Sequence, residues 1–258
     1  MRRKGGNLRW WLATVAMGLG VVLGLALGMW QLERAGQKQR WQQALQAQQN
    51  AAVLEAAAVR EKLAGGPAAL QAWWHRPIAL QGQWLPEHTV YLDNRQMQGR
   101  PGFYVLTPLQ LSPGEVVLVQ RGWVARNFQQ RQVLLEVDTP SGQVSVQGRL
   151  AGPPGRLFAL GEGDLPDAQN PRIRQNLDLS AFAQSTGLAL WPVTVVQTGA
   201  PSEGLLRAWP QPDSGIATHY GYALQWFAIA AVLAGMLLWF QILRPLRAAR
   251  QRHAHPKS

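Results

Sequence analysis

Two long apolar runs without a charged residue constrain this chain more than any other feature. The first extends from Trp10 to Leu32, and the second from Tyr220 to Leu243. At about 1.5 Å per helical residue, each run is long enough to cross the roughly 30 Å hydrocarbon core of a bilayer. The first run is longer than the core of a signal peptide, and no A-x-A-like cleavage site follows it. We therefore predict two retained transmembrane helices, at residues 10–32 and 219–243.

The distribution of charge predicts that both ends of the chain are cytoplasmic. The formal net charge is +11, but the tail before Trp10 carries four basic residues and the tail after Leu243 carries five, with no acid in either. The rest of the chain is nearly balanced, with 16 basic and 14 acidic residues. Basic residues beside membrane spans face the cytoplasm and can contact anionic lipid of the bilayer. Residues 1–9 and 244–258 are therefore predicted to be cytoplasmic tails, the central domain is predicted to be periplasmic, and the charge does not indicate nucleic-acid binding.

The segment between the two spans predicts a helical extension followed by a β-rich domain. Residues 33–75 are rich in strong helix formers such as Ala, Gln, Glu, Lys and Leu. From residue 76 to 200, short β-branched or aromatic runs alternate with Pro/Gly turns, which is typical of antiparallel strands in a small barrel or sandwich. Within this range, residues 151–176 are predicted to form a functional or mobile loop. Residues 201–218 predict a linker back to the membrane. The predicted fold class is membrane α + β, with two transmembrane helices flanking an extracytoplasmic β-rich domain that has a helical N-terminal extension.

Several kinds of chemistry have no basis in this sequence. There is no cysteine, so disulfide, thiolate and C-x-x-C redox chemistry are excluded. None of the H-E-x-x-H, G-x-S-x-G or Walker motifs occurs, and the carboxylates are scattered rather than clustered. We expect a binding or scaffolding protein and not an enzyme, with no catalytic residue and no metal site.

His219 is the residue best suited to bind a ligand. It opens the second apolar run, and Tyr222 and Trp226 follow it over the next two turns. A neutral imidazole can ligate haem iron axially, and aromatic rings can flank a flat macrocycle. A histidine at a membrane edge can equally face water and headgroups, so the residues alone leave both interpretations open.

Two arginines at the ends of predicted strands are weaker candidates. Arg95 follows Asn94, and Arg121 precedes Gly122. A guanidinium group can bind a carboxylate through two hydrogen bonds, and a haem propionate is one such carboxylate. Partners within the same domain are the alternative.

Four stretches of this chain, in order, resemble the surfeit-locus family of cytochrome c oxidase assembly proteins. They are G-M-W-Q-L-E-R-A-G-Q-K at 28–38, N-R at 94–95 with G-R-P-G-F-Y-V-L-T-P-L at 99–109, V-L-V-Q-R-G-W-V-A-R-N at 117–127 and H-Y-G-Y-A-L-Q-W-F at 219–227. The resemblance implies an inner-membrane assembly factor that assists the delivery or insertion of haem a into subunit I of haem-copper cytochrome c oxidase. It implies subunit I and the haem a synthesis enzyme as partners.

The same resemblance implies that His219 is an axial haem ligand. Together with the neighbouring rings, it predicts that His219, Tyr222 and Trp226 form a site for a transiently held haem a. Two alternatives remain open. One is a haem-free scaffold that stabilises subunit I during assembly, and the other is an extracytoplasmic ligand-binding or sensor module.

Overall fold

The protein consists of two compact units. A computed structural model describes residues 4–112, 114–127, 129–130, 133–135, 137–158, 166–210 and 215–247. Within these ranges, one unit is drawn from Met1–Gln43 and Asp213–Ser258, and the other from Ala44–Pro212. Two helices are long and apolar enough to cross a membrane, over Leu8–Gln49 and Ile216–Arg247. The predicted fold class, membrane α + β, is confirmed.

The strands vary in length from two residues to 13. The helices are α1 (Lys4–Gln49), α2 (Ala56–Leu63), α3 (Leu179–Thr186) and α4 (Ile216–Leu237), with 3₁₀ turns at Pro67–Trp73 and Pro86–His88 and a π-helical segment at Leu238–Leu243. The strands are β1 (Leu54–Glu55), β2 (Pro77–Trp84), β3 (Val90–Met97), β4 (Arg100–Ser112), β5 (Glu115–Ala125), β6 (Gln143–Ala151), β7 (Ile173–Arg174) and β8 (Leu190–Gln197).

Five of the strands close into a barrel. The strand order is β1-β2-β6-β8-β5-β4-β3-β7, and β2 also pairs with β4. Closure leaves these five strands without a free edge. Buried and exposed residues alternate along β2, as expected for a strand with one face toward a core. The largest apolar cluster contains side chains from all five strands, among them Leu80, Leu109, Val117, Val146 and Val195.

The strand pairing differs from a simple antiparallel meander. β3, β4 and β5 pair antiparallel in sequence order, but β1 pairs with β2 in parallel, and β2 pairs with β6 and β4 instead of β3. Gly82 allows the close crossing of β2 and β4, since a Cβ there would overlap the backbone of Gln110. β8 lies parallel to β5, and the long segment that contains α3 provides the crossover that parallel pairing requires.

Two predicted segments differ from the structure. The helical extension predicted over residues 33–75 is interrupted by β1, because Leu54 is buried in the barrel core and pairs with Ile78. The linker predicted over residues 201–218 begins as part of the β-rich domain. There Leu205 is buried against the sheet, and the backbone groups of Leu206 and Trp123 exchange hydrogen bonds of 2.8 and 2.9 Å.

Other predictions fall partly outside the described residues. The two predicted tails lie outside the described residues at 1–3 and 248–258. The loop predicted at 151–176 lies outside them at 159–165. The described part of the loop contains β7 and is tied together by Asn176, whose side chain accepts from the Leu157 N–H (2.7 Å) and donates to the Leu157 carbonyl (3.0 Å).

Candidate functional site

Glycines spaced by four residues allow α1 and α4 to pack closely. Gly24 and Gly28 lie on one face of α1. A Cβ at Gly24 would lie 3.0 Å from the Cβ of Ala230 and 3.1 Å from the carbonyl oxygen of Trp226. A Cβ at Gly28 would overlap the ring of Phe227. Small residues at this spacing let two helix backbones approach each other within a bilayer, and this approach determines which polar side chains meet.

The close packing brings Gln31 of α1 to His219 of α4. Gln31 follows Gly28 by three residues and therefore lies on the same face of α1. Its Oε1 atom is 2.6 Å from Nδ1 of His219. An amide oxygen only accepts, so Nδ1 carries the proton and donates it to Gln31. In the neutral ring, Nε2 then keeps a free lone pair.

This hydrogen bond is the kind of contact that supports a metal-bound histidine. Metal-ligating histidines almost always donate their other ring N–H to an oxygen atom, which fixes the tautomer and the orientation of the ring. Gln31 supplies that oxygen, and His219 is half-buried at the start of α4. The residues present therefore fit the role of an axial ligand for haem iron.

The two predicted aromatic residues lie on the same side of α4 as His219. At about 100° per residue, Tyr222 and Trp226 are within roughly 60° of His219 around the helix axis. Tyr222 is 51% exposed and offers a free ring. Trp226 is half-buried, and its backbone faces Gly24 of α1. Tyr222 is thus the more accessible of the two rings.

Arg121 is held by partners within the β-rich domain. It has no exposed side-chain surface, and its guanidinium group donates to Thr139 Oγ1 (2.7 Å), the Asp138 carbonyl (2.8 Å) and Glu203 Oε2 (2.9 Å). The guanidinium carbon also lies 4.7 Å from the ring centroid of Trp84. These contacts give Arg121 an internal structural role.

Arg95 has a different environment. It is 8% exposed, and its Nη2 donates to the Gln175 carbonyl at 3.2 Å. Its Nε is buried without a hydrogen-bond partner, and burial lowers the pKa of its guanidinium group. The two predicted arginines thus differ in their partners, because Arg121 donates to Thr139, Asp138 and Glu203 while Arg95 donates to a carbonyl. The Nε of Arg121, like that of Arg95, is buried without a hydrogen-bond partner.

The sequence did not identify Gln31 as part of the site. In the sequence, Gln31 is only a polar residue near the end of an apolar run. A glutamine at such a position is common and does not indicate a binding site. Its partner is 188 positions away along the chain, so only the packing of the helices reveals the pair. Within the described part of the chain, no group of three or more His, Cys, Asp or Glu side chains could hold a metal ion.

Comparison with known proteins identifies the family. A family model described as SURF1 family matches residues 19–231. A SURF1-like protein from Rickettsia felis is 25% identical over 215 residues, which cover 81% of this chain and 88% of that protein. A SURF1-like protein from Dictyostelium discoideum is 30% identical over 106 residues, covering 40% of this chain and 39% of that protein. The cytochrome oxidase assembly protein SHY1 from Saccharomyces cerevisiae is 30% identical over 60 residues, covering 23% of this chain and 15% of that protein. Because the family model matches most of its length, the chain belongs to the SURF1 family.

Proposed function

We propose that this protein assists the assembly of haem-copper cytochrome c oxidase by holding haem a at His219 before its insertion into subunit I. Membership of the SURF1 family, together with similarity to a yeast protein named for cytochrome oxidase assembly, supports the assembly role. The hydrogen bond of 2.6 Å between Gln31 and His219 is the observation that carries the haem part of the proposal.

His219 and the side chains around it would have different roles in binding haem. Bound haem would supply an iron that accepts the lone pair of Nε2. Gln31 accepts the hydrogen bond from the Nδ1–H group and so fixes the tautomer and the orientation of the ring, which makes it a positioning residue. Tyr222 presents an exposed ring on the same side of α4 for contact with a flat ligand. A single imidazole and partly open surroundings hold a haem less firmly than an enclosed pocket does. The site therefore suits transient binding of haem.

The membrane placement is part of the same proposal. We place both termini in the cytoplasm and the β-rich domain in the periplasm, because the basic residues are concentrated in the two tails. The chain has no native cysteine, so single cysteines report topology without background. In spheroplasts, a membrane-impermeant maleimide should label Ser141→Cys, on the β-rich domain, and leave Ser258→Cys unlabelled until the membrane is opened. The reverse pattern would refute this topology.

The haem proposal is tested by copurification. Wild-type protein and the His219→Ala variant would be purified from cells that make haem a and from cells that do not. His88→Ala is the matched control, since His88 lies in the β-rich domain beside Glu87. We expect haem a with the wild type and with His88→Ala, and a large loss with His219→Ala.

The remaining outcomes distinguish the alternatives. If wild-type protein carries no haem a, yet subunit I copurifies and oxidase yield falls on deletion of the gene, the protein is a haem-free scaffold. If neither oxidase subunits nor the haem a synthesis enzyme copurify, and a signalling protein does, the sensor alternative replaces the assembly role. Equal haem a in the wild type and His219→Ala would remove His219 from the site.

A further inference from the structure

Lys38 places a positive charge on the face of α1 that contacts α4. It follows Gln31 by seven residues, so at about 100° per residue the two side chains lie within roughly 20° of each other around the helix axis. A Cβ at Gly215 would lie 3.4 Å from the Nζ atom of Lys38. The ammonium group of Lys38 therefore lies beside the residue that precedes the first turn of α4.

This contact lies about one helical turn from His219. From Gln31 to Lys38, α1 advances toward its C-terminus while its contact on α4 moves back from His219 to Gly215, as expected for antiparallel helices. The backbone N–H of His219 donates to the Gly215 carbonyl at 3.3 Å, and one turn advances about 5.4 Å along the axis. The ammonium group thus lies near the imidazole, on the side away from the apolar run that begins at Tyr220.

Lys38 is also available to an anionic ligand. Its side chain is half-buried, and none of the ion pairs in the described part of the chain includes it. Arg34, one turn before it on α1, donates to Gln37 at 3.0 Å instead. Arg95 and Arg121, the arginines predicted to contact a propionate, belong to the other compact unit. Lys38 is therefore a better candidate for contact with a ligand at His219.

We propose that Lys38 binds a propionate carboxylate of the haem held at His219, an inference that rests on the proposed function. Haem carries its two charged propionates on one edge and apolar substituents around the rest of its rim. At the boundary of a bilayer the propionates are stable only toward the polar side, which is the direction from His219 to Lys38. The exposed ring of Tyr222 lies in the opposite direction along α4, toward the apolar run. Lys38 would therefore determine which edge of the macrocycle faces out of the bilayer.

The test compares two ligands that differ only in their propionates. Ferric protoporphyrin IX has two free propionates, and its dimethyl ester has none, while both leave the iron available to an imidazole. Each would be titrated into purified full-length protein in detergent and followed by the Soret band. Lys38→Met removes the charge but keeps the length of the side chain, and Lys38→Arg keeps the charge. Arg40→Met is the matched control, because Arg40 is an exposed cation on roughly the opposite side of α1.

We expect the wild type to bind the free acid about tenfold more tightly than the dimethyl ester. Lys38→Met should bind the acid as weakly as the ester, whereas Lys38→Arg and Arg40→Met should keep the preference of the wild type. The Soret band of Lys38→Met should stay at the wild-type position, because His219 still ligates the iron. Undiminished preference for the acid in Lys38→Met, or an equal loss of preference in Arg40→Met, would overturn the proposal.

The His219→Ala variant separates this inference from the proposed function. If His219→Ala weakens the binding of both ligands and shifts the Soret band, while Lys38→Met prefers the free acid as the wild type does, only the propionate contact is wrong. If His219→Ala binds both ligands as the wild type does, the haem site at His219 is wrong, and the propionate contact is wrong with it.

Discussion

Replacing Gln31 by leucine tests how the second helix presents its histidine. The Gln31→Leu substitution keeps side-chain volume in the helix interface but removes the oxygen that lies 2.6 Å from His219 Nδ1. A half-buried ring N–H left without an acceptor costs about 1–3 kcal/mol. Loss of such a supporting contact typically reduces metal affinity by about 10–100-fold. We therefore expect haem binding to weaken by about one to two orders of magnitude, while the protein stays folded.

The assay is an optical titration of haem into purified protein, followed by the Soret band. Gln31→Glu is the informative companion, since a carboxylate accepts a stronger, charge-assisted hydrogen bond from Nδ1 and should keep or raise the affinity. Gln43→Leu makes the same chemical change at an exposed position of α1 and should have no effect. If Gln31→Leu binds haem as tightly as the wild type, or if Gln43→Leu loses as much, Gln31 does not position the ligand.

Three further predictions concern the β-rich domain. Arg121→Met breaks the buried pair with Glu203 and should lower the free energy of unfolding by about 3–5 kcal/mol in denaturant titrations; a change below about 1 kcal/mol would contradict a structural role. The two hydrogen bonds from Arg60 lower the pKa of Glu115. The stabilisation from this pair is therefore fully present above the ordinary glutamate pKa of 4.5, and it is lost as the pH falls through the lowered pKa of the folded protein. The difference in unfolding temperature between wild type and Arg60→Gln should therefore be largest near neutral pH and vanish in acid, and a difference that grows in acid would have the wrong sign. Asp178→Ala removes the side chain that accepts from the first backbone N–H groups of α3, so it should cost about 1 kcal/mol in the same titrations, and Asp178→Ser should recover most of it.

Patterns with a strong local cause could be predicted from the sequence. The two uncharged runs of membrane length predict the two spans, because a bilayer accommodates so much exposed apolar surface and water does not. The alternating residues of β2 and β6 mark strands with one face toward a core. The cap of α3 follows from Asp178 at its N-terminus, where the carboxylate accepts from the Ser180 and Ala181 N–H groups.

Features that depend on distant partners could not be predicted. β1 and β7 have two residues each and exist because longer strands offer edges to pair with. Leu205 and Leu206 resemble linker residues in sequence, yet the sheet binds them. Gln31 meets His219 only because Gly24 and Gly28 of α1 let the helix approach α4 closely.

The most direct test of iron ligation by His219 is to identify the nitrogen atom that is coupled to the iron. Wild-type protein with ¹⁵N-labelled histidine, purified with ferric haem a, would be compared with His219→Ala by pulsed electron paramagnetic resonance. We predict coupling between the iron and one imidazole nitrogen in the wild type, and its loss in His219→Ala. Coupling that persists in His219→Ala, or its absence from haem-loaded wild-type protein, would contradict ligation by His219.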